Sequence, residues 1–419
     1  MLVNRLLVVA IAIVLWIVIA AFGAISGWWL TPVAQRGDTQ GFLNAAIAMV
    51  DEQSRGNIAL VLVQNGAVYG EHFAPSVDQV DRDTRFPLAS TSKWITAYGV
   101  MQLVQAGKID LDAPISRYLK RWQLPTGEFD NDAVTVRRLL SHTAGLTDEL
   151  GFGDFGPEEA IPSLEESLRQ PRSSSGTAVI AVGHAPGGQW LYSGGAYLIL
   201  QLIVEEVSGM SFADWMQQAV FDPIGMQRSS CGYLGDLDNA SRSYDAEGKL
   251  ATSFRYAAAA ATGLSSSASD LIRFARTQLR EDPEGTRLLS QANVAAMRQP
   301  HGSKLGADIW GLGVMLYAPT ASGSYVFGHD GSNDPAINSS VRINPDNGDA
   351  IVVLVTGNPS LASSIGYEWT VWQTGSPDFL MIDRAIESAL KPLAAGILFI
   401  LALFALFVVR QRRRKQRPA

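Results

Sequence analysis

The chain has 419 residues, of which 47% are apolar and 17% charged, with a formal net charge of −7 and one cysteine, Cys231. That length holds one large domain or two ordinary ones, and a lone cysteine excludes an intramolecular disulfide. Setting aside Arg5 and the six basic residues between 410 and 417 leaves −14, which excludes nucleic acid as partner because phosphate contacts need Lys and Arg.

Residues 6–25 form an uncharged apolar run of 20 residues, long enough to cross a bilayer as a helix. The run exceeds the ~7–15 residues of a cleavable signal core. Ala24, Ser26 and Gly27 give no clean cleavage site. An uncleaved anchor is therefore expected over 1–27, with a signal peptide as the alternative. Trp28 and Trp29 follow at the position of an interfacial aromatic belt, and residues 28–41 read as a linker.

Residues 57–63 and 67–73 are β-rich and separated by Asn65-Gly66, a signal for a type I′ hairpin. An apolar helix is expected over 90–105. The stretch from roughly 110 to 280 carries helical patterns broken by Gly and Pro loops, with clear helices at 197–207, closed by Gly209, and at 269–279, capped by Ser267 or Ser269. From about Trp310 the pattern returns to strands, at 313–317, 325–328, 336–343 and 350–356, with turn chemistry at 344–348. Strands at both ends of the domain and helices between them predict one sheet assembled from both ends around a helical insertion.

Residues 393–409 form a second apolar run, so segments 376–391, 392–409 and 410–419 are expected to be a juxtamembrane stretch, a transmembrane helix and a basic tail. Arg410, Arg412, Arg413, Arg414, Lys415 and Arg417 mark that end as cytoplasmic. Arg5 says the same of the first helix, which leaves everything between them outside the cell membrane, facing the periplasm or exterior.

Three segments carry candidate chemistry. In Ser90-Thr91-Ser92-Lys93 a helix beginning at Ser90 puts Lys93 one turn on, on the same face. A desolvated lysine can then take the proton that makes a serine hydroxyl a poor nucleophile. Alone, the tetrapeptide reads first as a serine cap with a solvated lysine; its place after a short extended segment and at the start of an apolar helix favours the catalytic reading. Tyr192 lies in a Gly-rich loop before an apolar helix and could relay protons. Its plain alternative is a half-buried loop tyrosine. His329-Asp330-Gly331-Ser332 lies in the strand-rich part, where glycine lets a ligand approach the backbone. Its plain alternative is a strand-end histidine without a role. No H-E-x-x-H, Cys/His cluster or G-x-S-x-G occurs, so no metal and no α/β-hydrolase elbow is expected.

Ser90 to Lys93, Tyr192-Ser193-Gly194 and His329-Asp330-Gly331, in this order, resemble the S-x-x-K, Y-x-N and [K/H]-x-G set of the serine β-lactamase-related, penicillin-binding-protein-like family. That family includes class C β-lactamases, carboxypeptidases and esterases. Segments 136–146, 220–226, 263–270 and 311–313 add to the resemblance, which runs from about 40 to 357. It implies an α/β (α+β) β-lactamase/transpeptidase-like fold over 42–375, with a mostly antiparallel sheet flanked by helices, a helical subdomain and no cofactor. It also implies that Ser90 forms an acyl-enzyme and that Lys93 deprotonates it or holds the proton network. Tyr192 would act as general base, and His329 would orient substrate. The N–H groups of Ser90 and Ser332, beside Gly331, would form the oxyanion hole. His142 matches a structural loop and is given no catalytic role.

One departure bears on substrate. Gly194 stands where relatives often carry Asn, and His329 replaces a permanent cation that would pair with a carboxylate. Ester or other acyl hydrolysis is then favoured over β-lactam or D-amino-acid peptide cleavage. The alternative is a non-catalytic or slowly deacylating penicillin-binding-type protein that acts as a binding or sensory module.

Overall fold

The computed structural model describes residues 2–74, 78–148, 155–172, 179–279 and 285–415. Asn65 and Gly66 both have left-handed backbone, φ 50° and 76°, as the central positions of a type I′ turn require. They join β1 (Ile58–Gln64) to β2 (Ala67–Ala74). A short β3 (Phe86–Pro87) pairs with β4 (Ser265–Ser266). The carboxy-terminal part supplies β5 (Gly302–Lys304), β6 (Ala307–Trp310), β7 (Met315–Pro319), β8 (Tyr325–Asn333), β9 (Ile337–Asn344) and β10 (Asp349–Thr356). The main sheet has eight strands in the order β2-β1-β10-β9-β8-β7-β6-β5, and every neighbouring pair is antiparallel. The amino-terminal hairpin thus joins the carboxy-terminal strands in one sheet, as the sequence predicted, and does so through β10.

Both faces of this sheet are covered, so β1 and β10 read as unbroken apolar runs rather than alternating ones. Ile58, Leu60, Leu62, Ile351, Val353 and Val355 face one core, under the helices Thr39–Gln53 and Leu361–Thr374. Ala59, Val61, Val63, Ala350, Val352 and Leu354 face the other core, which is continuous with the helical region. There the helices Ser92–Gln105, Gly194–Ser208 and Ala268–Thr277 pack together.

The predicted helices exist with shifted ends. That at 197–207 begins three residues earlier, because the Ser193 hydroxyl accepts from Ala196 N–H. It closes at Gly209 with φ 73°. Of the two serines offered as cap for the later helix, Ser267 is the one that accepts, from Asp270 N–H. The strand at 325–328 continues to Asn333. The helices Thr39–Gln53 and Leu361–Thr374 and the strands β5 and β6 were not predicted.

Among the described residues, two single helices, at the termini, are long and apolar enough to cross a membrane. They are Leu2–Ile25 and Ile382–Lys415. They run antiparallel, with Arg5 over the ring of Phe407 and the Trp16 indole N–H donating to Leu393 O at 3.1 Å. Gly396 makes this approach possible, since a Cβ there would collide with the Trp16 indole. The second helix has 34 residues, or ~51 Å at ~1.5 Å per residue. It is therefore longer than the ~30 Å hydrocarbon layer and absorbs most of the segment read from sequence as juxtamembrane.

Candidate active site

Ser90 lies in a tight turn, Ala89–Thr91, between β3 and the helix Ser92–Gln105. The residue before it, Ala89, has φ 47°, a left-handed conformation that costs a non-glycine residue about 1 kcal/mol or more. The turn is held by its surroundings. Ser339 Oγ donates to Leu88 O at 2.7 Å and lies 2.9 Å from Thr91 Oγ1. Leu88 N–H donates to Leu264 O at 2.9 Å, and Leu264 N–H donates to Ser92 Oγ at 3.1 Å. Four bonds to two separate elements thus fix a strained backbone that presents one half-buried hydroxyl.

Lys93 Nζ donates to Ser90 Oγ at 3.2 Å and to Ala261 O at 2.8 Å. It is 3% exposed, and it lies 5.0 Å from the ring centroid of Tyr192 and 5.6 Å from that of Tyr197. Aromatic faces and one carbonyl thus replace most of its water. Tyr192 Oη donates to Ser90 Oγ at 2.9 Å. Residues 102 positions apart are thereby brought to one oxygen.

Tyr192 is positioned by His142 and Asp148, which lie outside the three candidate segments. The His142 ring lies 4.5 Å from the Tyr192 ring and 4.7 Å from that of Trp310. Burial holds His142 well below the usual histidine range, aided by Lys93. Its neutral Nδ1 accepts from Ser193 N–H at 3.1 Å. Asp148 accepts from the Ser193 hydroxyl at 2.7 Å and from Gly195 N–H at 2.6 Å. The cap of the Gly194–Ser208 helix and the tyrosine beside it are therefore fixed by one buried carboxylate and one buried imidazole.

On β8 the side chains alternate. Gly331 backs onto the serine turn: a Cβ there would lie 2.9 Å from Ser90 N and closer still to Leu88 O, so glycine is required for this approach. Asn338 Nδ2 donates to Gly331 O at 2.8 Å. Asp330 points to the opposite face, into an ion pair with Arg342. His329, the expected substrate contact, is fully buried, edge-on to Trp310 at 5.3 Å. Its Nδ1 is 2.6 Å from Asp330 O, and its Nε2 is enclosed without a partner. Burial, with Lys93 adding to it, pushes this ring down to about 3, so it is neutral near pH 7. Ser332 is exposed and its hydroxyl donates to Pro359 O at 3.1 Å.

The structure therefore gathers Ser90, Lys93, Tyr192 and Gly331 at one point, with His329 behind them. Sequence reasoning did not find Asp148, Tyr197, Trp310 or the Ala261 carbonyl, and gave His142 no part. The segment holding His142 was visible as a motif, but its contact with Tyr192 is tertiary. Among the described residues no group of three or more His, Cys, Asp or Glu side chains is placed to hold a metal ion.

The family described as Beta-lactamase matches residues 42–375. Penicillin-binding protein 4 of Amycolatopsis lactamdurans is 29% identical over 66% of this chain and 74% of its own length. Esterase EstB of Burkholderia gladioli is 34% identical over 36% of this chain and 39% of its own. The octameric penicillin-binding protein homologue from Pyrococcus abyssi superposes with a TM-score of 0.65 at 22% identity, covering 83% of this chain and 80% of that one.

Proposed function

Because the chain belongs to the β-lactamase family, we propose that it is a serine hydrolase that cleaves an ester or amide through an acyl-Ser90 intermediate. In this reading the domain is held at the outer face of the cell membrane by its two apolar helices. The observation that carries it is the convergence of Lys93 Nζ and Tyr192 Oη on Ser90 Oγ, at 3.2 and 2.9 Å.

The steps follow from that geometry. Ser90 Oγ attacks the acyl carbon as its proton passes into the Tyr192–Lys93 pair, a transfer worth typically ~100- to 10,000-fold in rate. The negative oxygen that develops is met by the N–H groups of Ser90 and Ser332, each worth ~100- to 1000-fold. Collapse returns the proton to the leaving alcohol or amine. Tyr192 then takes a proton from water, which attacks the acyl-serine and frees the acid. Esters are the favoured substrates. Gly194 offers no amide to a peptide or β-lactam, and neutral His329 offers no cation to a substrate carboxylate.

Intact mass spectrometry of the full-length protein in detergent, after exposure to ethyl fluorophosphonate, tests the reading beside Ser90→Ala. One adduct on the wild type, absent from the variant, is expected. A folded wild type that gains no adduct overturns it in favour of a binding or sensory protein.

A further inference from the structure

A cavity of about 710 Å³ lies between the domain and the outer ends of the two apolar helices, within the ~300–1,000 Å³ range of ligand pockets. Ile17, Ala21 and Ala24 of the first helix and Ile386, Leu390 and Leu393 of the second line one side. The opposite side is the β5–β6 hairpin and Trp190. The polar side-chain groups are those of Lys304, Asp308 and Tyr325 and the indole N–H of Trp190, and Asp308 already accepts from Tyr325 Oη at 2.8 Å.

Three observations say what fills it. First, the helices are level where Trp16 meets Leu393. On the domain side of that level the second helix carries Asp383, Arg384, Glu387 and Lys391, whereas the first stays apolar to Ile25. The helix residues that line the cavity, from Ile17 to Ile25 on the first and from Ile382 to Leu393 on the second, all lie on this domain side, where one helix is still apolar and the other already charged, which suits the outer edge of the apolar layer. Second, Leu305 at the hairpin tip is 91% exposed and has φ 53°, an uncommon backbone for a bulky residue and a costly place for an apolar one. Beside membrane helices such a tip gains by contact with lipid. Third, Trp190 belongs both to the cavity wall and to the ring cluster of the site, 6.2 Å from Tyr192 and 5.6 Å from Trp310.

We propose that this cavity binds the acyl chain of a membrane-resident ester and delivers it past Trp190 to Ser90. The proposal rests on the serine hydrolase reading and names its substrate class, a long-chain acyl ester drawn from the bilayer. Hydrolysis releases the fatty acid and the alcohol headgroup, and water is the only co-reactant.

Two measurements on full-length protein in phosphatidylcholine/phosphatidylglycerol vesicles test it. In the first, Ser90 labelling rates are compared for hexadecyl and ethyl fluorophosphonate. Each methylene taken out of water is worth roughly fourfold in binding, so the hexadecyl probe is expected to react more than about tenfold faster. Leu305→Asp and Ala307→Trp are expected to bring the ratio near one. An ethyl adduct with no chain-length preference overturns the proposal. The second measurement is independent of catalysis. A diazirine-bearing palmitoyl lipid in vesicles with Ser90→Ala is expected to crosslink to the hairpin at 303–308 and to the Trp190 peptide, and Ala307→Trp is expected to remove the Trp190 adduct. Crosslinks confined to the two helices overturn the cavity, whatever Ser90 does. Hairpin crosslinks without any Ser90 labelling leave the cavity standing and overturn the hydrolase reading instead.

Discussion

Arg342 and Asp378 form an ion pair from which solvent is fully excluded, with Nη1 and Oδ2 2.7 Å apart. The other end of the guanidinium holds Asp330, and its plane lies 3.7 Å from the Tyr317 ring centroid. Asp378 caps the turn Phe379–Met381, which leads directly into the second apolar helix. Asp330 is the residue between His329 and Gly331. One arginine therefore ties the second apolar helix to the strand that backs the serine turn.

Removing that arginine leaves one fully buried carboxylate, Asp378, and one partly buried, Asp330, without their cation. Arg342→Met is expected to cost about 3–5 kcal/mol, the range for breaking a buried pair. Asp378→Asn, which keeps the shape, is expected to cost less. Urea denaturation of the full-length protein in detergent measures both. A loss below about 1 kcal/mol in Arg342→Met would mean that the pair does not anchor β8.

Lys93→Ala removes one of the two groups on Ser90 Oγ. Hydrolysis of an activated ester is expected to fall by orders of magnitude while thermal unfolding stays cooperative. Tyr192→Phe is expected to lower kcat by ~100- to 10,000-fold at similar KM. Near-normal rates in either variant would remove that residue from the mechanism.

His329 sets a pH dependence of stability. Its folded value of about 3 lies below the ~6.5 of an unfolded histidine. Above pH ~6.5 neither state binds the proton, and the stability is fully present. As pH falls from about 6.5 toward 3 only the unfolded state takes the proton, and stability drops by at most ~1.4 kcal/mol per unit. His142 acts in the same direction, while buried Asp148 and Asp270, whose carboxyls burial raises, act in the opposite one. The comparison that isolates His329 is wild type against His329→Asn at pH 7 and pH 5, where a shallower slope is expected in the variant. Equal slopes would show that the ring is protonated in the folded protein.

Membrane orientation has its own test. In right-side-out spheroplasts, added protease is expected to digest residues 42–375 while the basic tail survives. Protection of that domain would place it on the cytoplasmic side.

The sequence was most informative where chemistry is local. Asn65-Gly66 announced its turn because both residues tolerate positive φ. Ser193, Ser267 and Gly209 marked helix ends because caps are made within one turn of chain. The order of Ser90, Lys93, Tyr192 and His329 was legible because each sits in a short motif. The helix Thr39–Gln53 carries a readable spacing, with Phe42, Leu43, Ala46 and Val50 on its buried face. The helix Leu361–Thr374 is buried nearly all round, so it shows no amphipathic period.

What the chain's own pattern determined, then, is its apolar ends, its strand-helix-strand order and the candidate reacting groups, because these depend on neighbours within a few residues. Tertiary structure alone decided that His142 and Asp148 hold Tyr192, and that Asp330 turns away from the site toward Arg342. It also decided that His329 is buried and neutral, and that a cavity joins the helices to Trp190. Those facts depend on which distant segments share a dehydrated space, where burial and alternation across a strand, rather than residue type, set charge and direction.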